Sequence, residues 1–144
     1  MIFHKLHQYD IQDMNHEIPV LTPYTKIGGE AGLRRLTTSM YSAMRELPSV
    51  RELLSIHRDV DDAEQKLFEF LSGWLGGPQL FMERHGHPRL RMRHMQIGVD
   101  STMRDQWMHC MRHALDQTVA DPVFREELYQ SLWSVADHMR NRAD

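Results

Sequence analysis

The sequence predicts an all-α domain, and three observations carry that prediction. Apolar residues recur every three or four positions along four long stretches, a spacing that draws one apolar stripe down a helix. Proline, glycine and aspartate stand at the ends of those stretches, where helices start and stop. No segment alternates apolar and polar residues over several positions, as a half-buried strand would. With 144 residues, the chain suits one domain with a sizeable core.

Residues 1–22 lack sustained periodicity and are expected to form an N-terminal extension to a domain over residues 23–144. Thr22-Pro23 reads as a cap followed by proline at the first helical position, and Gly28-Gly29 cuts that helix short. Leu33, Leu36, Met40, Met44 and Leu47 then share one face of a helix from about Glu30 to Leu47, with Tyr41 beside the stripe and Pro48 as the stop. Ser49 to Ile56 reads as one short turn leading to His57. Asp59 or Asp61 caps the next helix, whose inward face is Ala63, Leu67, Phe70, Leu71 and Trp74, widened by Phe68 and Leu75 and ended by Gly76-Gly77-Pro78. Leu80 to His87 follows, and Pro88 opens a short segment in which Leu90 and His94, four apart, share a face. Asp100 or Ser101 caps a long helix with Met103, Trp107, Cys110, Met111, Ala114, Leu115 and Thr118 inward. Asp121-Pro122 starts the last, which carries Phe124, Leu128, Leu132, Val135, Ala136 and Met139.

Composition narrows the function. Seventeen Lys+Arg against twenty Asp+Glu give a net charge of −3, which argues against a general nucleic-acid binder. No apolar run reaches the roughly 18–20 residues of a membrane helix, and Met1–Asp10 holds no apolar signal core. One cysteine, Cys110, excludes an internal disulfide and fits a reducing compartment. The expectation is a cytoplasmic protein with neither nucleic acid nor membrane as partner. Walker, Rossmann, HExxH and GxSxG patterns are absent from the sequence.

Polar side chains on inward faces need a partner or a task. Tyr41, His94 and Trp107 each lie on or beside a different apolar stripe. A neutral imidazole is a good axial ligand for haem iron, and the arginines at 89, 91 and 93 could pair with carboxylates. From spacing alone a plainer reading is favoured: a histidine at a helix C-terminus among surface arginines. Tyr41 and Trp107 each offer one donor on an apolar body, and ordinary core aromatics do the same. His85 and His87 with Glu83 make only a weak metal pattern. His109, His113 and His138 read as solvated, and Cys110 as a small core residue.

Together the motifs resemble the group II truncated haemoglobins. The residues that carry this are Tyr24-Thr25-Lys26-Ile27-Gly28-Gly29, Met40-Tyr41, Leu71 through Trp74-Leu75-Gly76-Gly77-Pro78, Gly86-His87-Pro88-Arg89-Leu90-Arg91-Met92-Arg93-His94, and Arg104-Asp105-Gln106-Trp107. They arrive in order and span roughly Tyr24 to Met139. The resemblance implies a truncated globin-like two-over-two helical sandwich around haem b. It makes His94 the proximal iron ligand and Tyr41, Trp107 and His57 the distal polar residues. Ala63 stands where ordinary globins place a distal histidine, and Leu67 one turn further in. Lys66 and Arg93 fall where propionate partners are expected, and Phe70, Leu71, Phe81, Met92 and Met111 where the porphyrin is contacted. The chain departs from the family after His94, where Met95-Gln96-Ile97 replaces the usual proline and phenylalanine; a looser connector is expected there.

The first function class is therefore a haem protein binding oxygen, carbon monoxide, nitric oxide or peroxide. Three distal donors predict slow ligand release, which suits turnover of reactive nitrogen or oxygen species better than delivery. Dioxygenation of nitric oxide or a peroxidase-like reaction needs an external reductase, because no flavin or nicotinamide module is present in the sequence. A haem-based redox or gas sensor and a haem-free helical interaction protein are the alternatives.

Overall fold

The computed structural model describes residues 21–144; the extension expected over residues 1–22 lies outside it except for Leu21 and Thr22. Helix α1 (Pro23–Lys26) starts where the Thr22 hydroxyl accepts the Thr25 amide at 3.1 Å. It stops after one turn because Gly28 and Gly29 take φ of 103° and 64°, a left-handed conformation costly for other residues. Helix α2 (Gly29–Glu46) follows at once. Its first turn presses on the end of α1, since a Cβ on Gly32 would sit 1.8 Å from the Ile27 carbonyl oxygen. Leu47 ends α2 in an extended conformation, ψ 121°, the state imposed on a residue before proline.

The stretch expected as one short turn is a 3₁₀ turn at Pro48–Val50 that runs into α3 (Arg51–Ser55). Asp59, not Asp61, caps α4 (Val60–Trp74), accepting the Asp62 amide at 3.0 Å. Two short helices follow, α5 (Leu80–His85) and α6 (Leu90–His94). Asp100 caps α7 (Ser101–Thr118) through the Met103 amide at 3.0 Å. Asp121 caps α8 (Pro122–His138) through the amides of Val123 and Phe124. Each such cap contributes about 0.5–2 kcal/mol.

Helix α2 packs on α4 and α7, α7 on α8, and α4 on α5. The result is two helical pairs, α2 with α4 and α7 with α8, stacked through α2 and α7. Leu33, Met40, Met44, Met111 and Leu115 fill the contact between the layers and are fully buried. Each such side chain contributes about 1.5–3 kcal/mol over its exposed state. Among the described residues there is no strand, and no helix is long and apolar enough to cross a membrane.

The core is sealed unevenly. On α7, Cys110, Met111, Ala114 and Leu115 are closed off, while Met103 and Trp107, nearer its start, are half-buried. On α4, Phe68 and Leu71 are buried, but the rest of the apolar face (Ala63, Leu67, Phe70 and Trp74) is half-buried. Two apolar faces are thus left partly open among the described residues.

Candidate functional site

Helix α6 carries His94. It has five residues, buries none of them, and starts after Arg89 at φ 42°. The spacing of four between Leu90 and His94 sets the imidazole over the helix's own backbone, with Nδ1 2.7 Å from the Leu90 carbonyl oxygen. A carbonyl only accepts, so Nδ1 carries the hydrogen and Nε2 keeps its lone pair. Nε2 has no hydrogen-bond partner among the described residues, which is the state that metal ligation requires.

Arg93 folds back on the preceding loop. Its Nε donates to the Pro88 carbonyl at 2.6 Å, and its Nη2 to those of His85 and His87 at 3.2 and 3.3 Å. Its guanidinium also lies 5.0 Å from the Phe81 ring centre. The connector expected to be loose is tied instead. Asn141 Nδ2 donates to the carbonyls of His94 and Ile97 at 2.8 and 3.1 Å, and its Oδ1 accepts the Val99 amide at 2.9 Å. The tie comes from the far end of the chain, so the residues next to His94 gave no sign of it.

Tyr41 comes from α2 and is only 3% exposed, yet its hydroxyl has no hydrogen-bond partner among the described residues. No side-chain polar atom there is both sealed and unpartnered, so Tyr41 Oη is not completely sealed. Burial pushes its phenol above the ordinary value; Glu64 and Cys110 push the same way and Arg45 opposes them. The group is therefore held as an O–H donor. His57 meets the Tyr41 ring edge to face, with centroids 6.1 Å apart. Its Nδ1–H donates to the Leu53 carbonyl at 2.8 Å. Gln106 locks this corner to α7: its Oε1 accepts the Leu53 amide at 3.0 Å, and its Nε2 donates to Glu52 at 2.8 Å. Trp107, the next residue, is half-buried, and its indole N–H has no partner among the described residues.

The remaining expected site residues divide by burial. Leu67 and Phe70 are half-buried, and Met92 is 57% exposed. Leu71 and Met111 are sealed among protein side chains. Phe81 is buried, its ring 4.7 Å from that of His85. Lys66 forms an exposed pair with Asp62 at 3.0 Å.

The sequence reading missed Glu69. This carboxylate is 2% exposed, accepting from Gln65 at 3.1 Å and Arg84 at 2.7 Å, with His85 Nε2 at 2.8 Å. Burial alone would raise its pKa; hydrogen bonds from Gln65 and His85, with the charges of Arg84 and His85, outweigh that and lower it. A lone acid inside Leu67-Phe68-Glu69-Phe70-Leu71 was the available signal. His85 thus belongs to Glu69 and His87 is exposed. Among the described residues no group of three or more His, Cys, Asp or Glu is placed to hold a bare metal ion. Cys110 is fully buried, and burial pushes its thiol up to about 11.

Taken together, these features are a half-buried apolar wall, one imidazole whose Nε2 has no partner among the described residues, and a nearly buried phenol whose hydroxyl has none there either. They fit a flat apolar cofactor whose metal takes one axial nitrogen, as haem does.

Comparison with known proteins agrees. Residues 22–141 match the bacterial-like globin family model. The cold-adapted truncated hemoglobin of the Antarctic marine bacterium Pseudoalteromonas haloplanktis TAC125 is 46% identical, with a TM-score of 0.83 over 85% of this chain and 99% of that one. The group II 2-on-2 hemoglobin of Agrobacterium tumefaciens is 36% identical, with a TM-score of 0.84 over 89% and 99%. The group 2 truncated hemoglobin YjbI of Bacillus subtilis is 34% identical over 85% of this chain and 90% of its own length. The chain therefore belongs to the bacterial-like globins, among the group II truncated haemoglobins, haem proteins that bind small gaseous ligands.

Proposed function

We propose that residues 23–144 hold haem b through His94 Nε2 and retain oxygen strongly enough to serve redox chemistry rather than delivery. One observation carries this reading. Tyr41 is 3% exposed and its ring meets that of His57 edge to face, yet its hydroxyl has no partner among the described residues. When bound, haem supplies an iron that takes oxygen, carbon monoxide, nitric oxide or peroxide.

The chain's own part is binding and polarity. Tyr41 O–H and Trp107 N–H donate to a ligand that gathers negative charge, each contributing about 1.5–3 kcal/mol. Ala63 provides no imidazole, so this field replaces a distal histidine. Leu67 packs on the ligand, and Phe70, Phe81 and Met92 contact the porphyrin with Leu71 and Met111 behind them. Lys66 leaves its exposed pair with Asp62 to meet one propionate. Arg93 meets the other through Nη1, because its Nε and Nη2 are committed to the loop carbonyls.

Slow release suits detoxification of nitric oxide or peroxide, with Tyr41, Trp107 and His57 as the catalytic residues and electrons drawn from a separate cytoplasmic reductase. Residues 1–22 are an extension to this domain. The test is oxygen release followed by stopped flow. Trp107→Phe and Tyr41→Phe each release oxygen roughly 10- to 100-fold faster than the wild type. An unchanged rate in both variants would remove the donor role.

A further inference from the structure

We propose that Asn141, together with Arg91, is a positioning device for His94, a clamp from the end of the chain that sets how the imidazole is presented. The inference rests on the haem reading above and adds residues outside the pocket to it.

Helix α6 cannot position itself. A single turn is unstable alone, and this one has no buried residue to anchor it. Arg93 ties it only to the segment just before it, through the carbonyls of residues 85, 87 and 88 and against the Phe81 ring of α5. Among the described residues, its other side-chain ties and those of the connector run to residues 138–141. Arg91 Nη1 donates to the carbonyls of His138 and Arg140 at 2.8 and 2.7 Å. Asn141 Nδ2 bridges the His94 and Ile97 carbonyls, and its Oδ1 takes the Val99 amide. The Asn141 backbone amide closes the loop on the Val99 carbonyl at 2.8 Å.

The amide side chain is used completely: both hydrogens donate and the oxygen accepts. Aspartate would set a carboxylate oxygen against two carbonyl oxygens. The clamp acts on the ring through one helical turn. Asn141 fixes the His94 carbonyl, and within the same turn the His94 ring is held to the Leu90 carbonyl. Displacing that turn re-aims Nε2 and alters the hydrogen bond that sets its basicity.

The test uses the full-length haem-loaded protein. The readouts are the iron–histidine stretching band of the ferrous form by resonance Raman and haem release into excess apomyoglobin. Asn141→Ala, Asn141→Asp and Arg91→Ala shift or broaden the band and speed haem release about 10-fold, the scale seen when a ligand's outer partner is removed. Arg91→Lys, which keeps a donor, restores the wild-type band. The control is Asp144→Ala, which frees the same tail from Ser101, held at 2.8 and 2.6 Å, without touching α6. It leaves both readouts unchanged.

A wild-type band and release rate in Asn141→Ala, or an equal shift in Asp144→Ala, would overturn the clamp. Should Asn141→Ala fail to fold, the two Arg91 variants decide by the same criteria. A wild-type chain that showed no iron–histidine band would instead sink the haem reading. Amide exchange at Val99 would still test the clamp, rising in Asn141→Ala if it exists and unchanged if it does not.

Discussion

The Tyr41 and His57 rings meet edge to face, their centroids 6.1 Å apart and their planes at 89°. The two polar tips differ in kind. Burial keeps the Tyr41 phenol protonated, a donor at every working pH. His57 has committed its Nδ1–H to the Leu53 carbonyl, so its neutral Nε2 can only accept, and it donates only as imidazolium. The distal side therefore holds a fixed donor next to a conditional one.

His57 therefore contributes less than Tyr41 to holding bound oxygen. His57→Phe speeds oxygen release less than Tyr41→Phe does, measured by stopped flow, and an equal or larger acceleration in His57→Phe would contradict the assignment.

Glu69 links acid stability to the wall of the site. Its carboxyl is held below the ordinary 4.5. A depressed folded value means that the stabilisation is fully present above about pH 4.5 and is lost as pH falls through the folded value. Glu69→Gln removes this dependence, so its stability falls less steeply below that point. Near neutrality the same variant costs about 1–3 kcal/mol, because the amide keeps one acceptor oxygen, sets an NH2 against donors in place of the other, and removes the charge facing Arg84. Urea unfolding at pH 7 and pH 3.5 measures both effects.

Helix boundaries were the legible part of this fold. Pro48, Gly28-Gly29 and the cap at Asp121 act locally, so residue type alone locates them, while it narrows the caps of α4 and α7 to Asp59 or Asp61 and to Asp100 or Ser101. Apolar spacing also named the faces of α4 and α7, but it could not say that Leu67, Phe70 and Trp107 stay half open while Leu71 and Met111 close. That depends on how far neighbouring helices stand apart. His94, Tyr41 and Trp107 were singled out as polar residues on apolar stripes. Glu69 was hidden because its partners Arg84 and His85 come from another helix. Asn141 was hidden because its bonds span more than 40 residues.

Cys110 should be inert in the folded protein. It is fully buried and its thiol is pushed up to about 11, so almost no thiolate exists at pH 8. A thiol reagent such as dithionitrobenzoate reacts at the rate of unfolding, and in denaturant reacts at once. Prompt labelling of the native protein would place the residue elsewhere.

Gly32 is the backbone position least open to substitution. A Cβ there meets the Ile27 carbonyl oxygen at 1.8 Å, and backbone cannot step aside cheaply. Gly32→Ala costs about 1–3 kcal/mol by overpacking, at the upper end of that range. Thermal unfolding reads the loss as a lowered Tm.

The most direct measurement is the absorption spectrum of the purified chain and of His94→Ala, each titrated with haem in the ferric state and in the ferrous state with carbon monoxide. The account predicts an intense Soret band at one haem per chain in the wild type, a clear shift with carbon monoxide, and a changed or lost band in His94→Ala. Identical spectra for the two proteins, or a wild-type chain that takes up no haem, would contradict it.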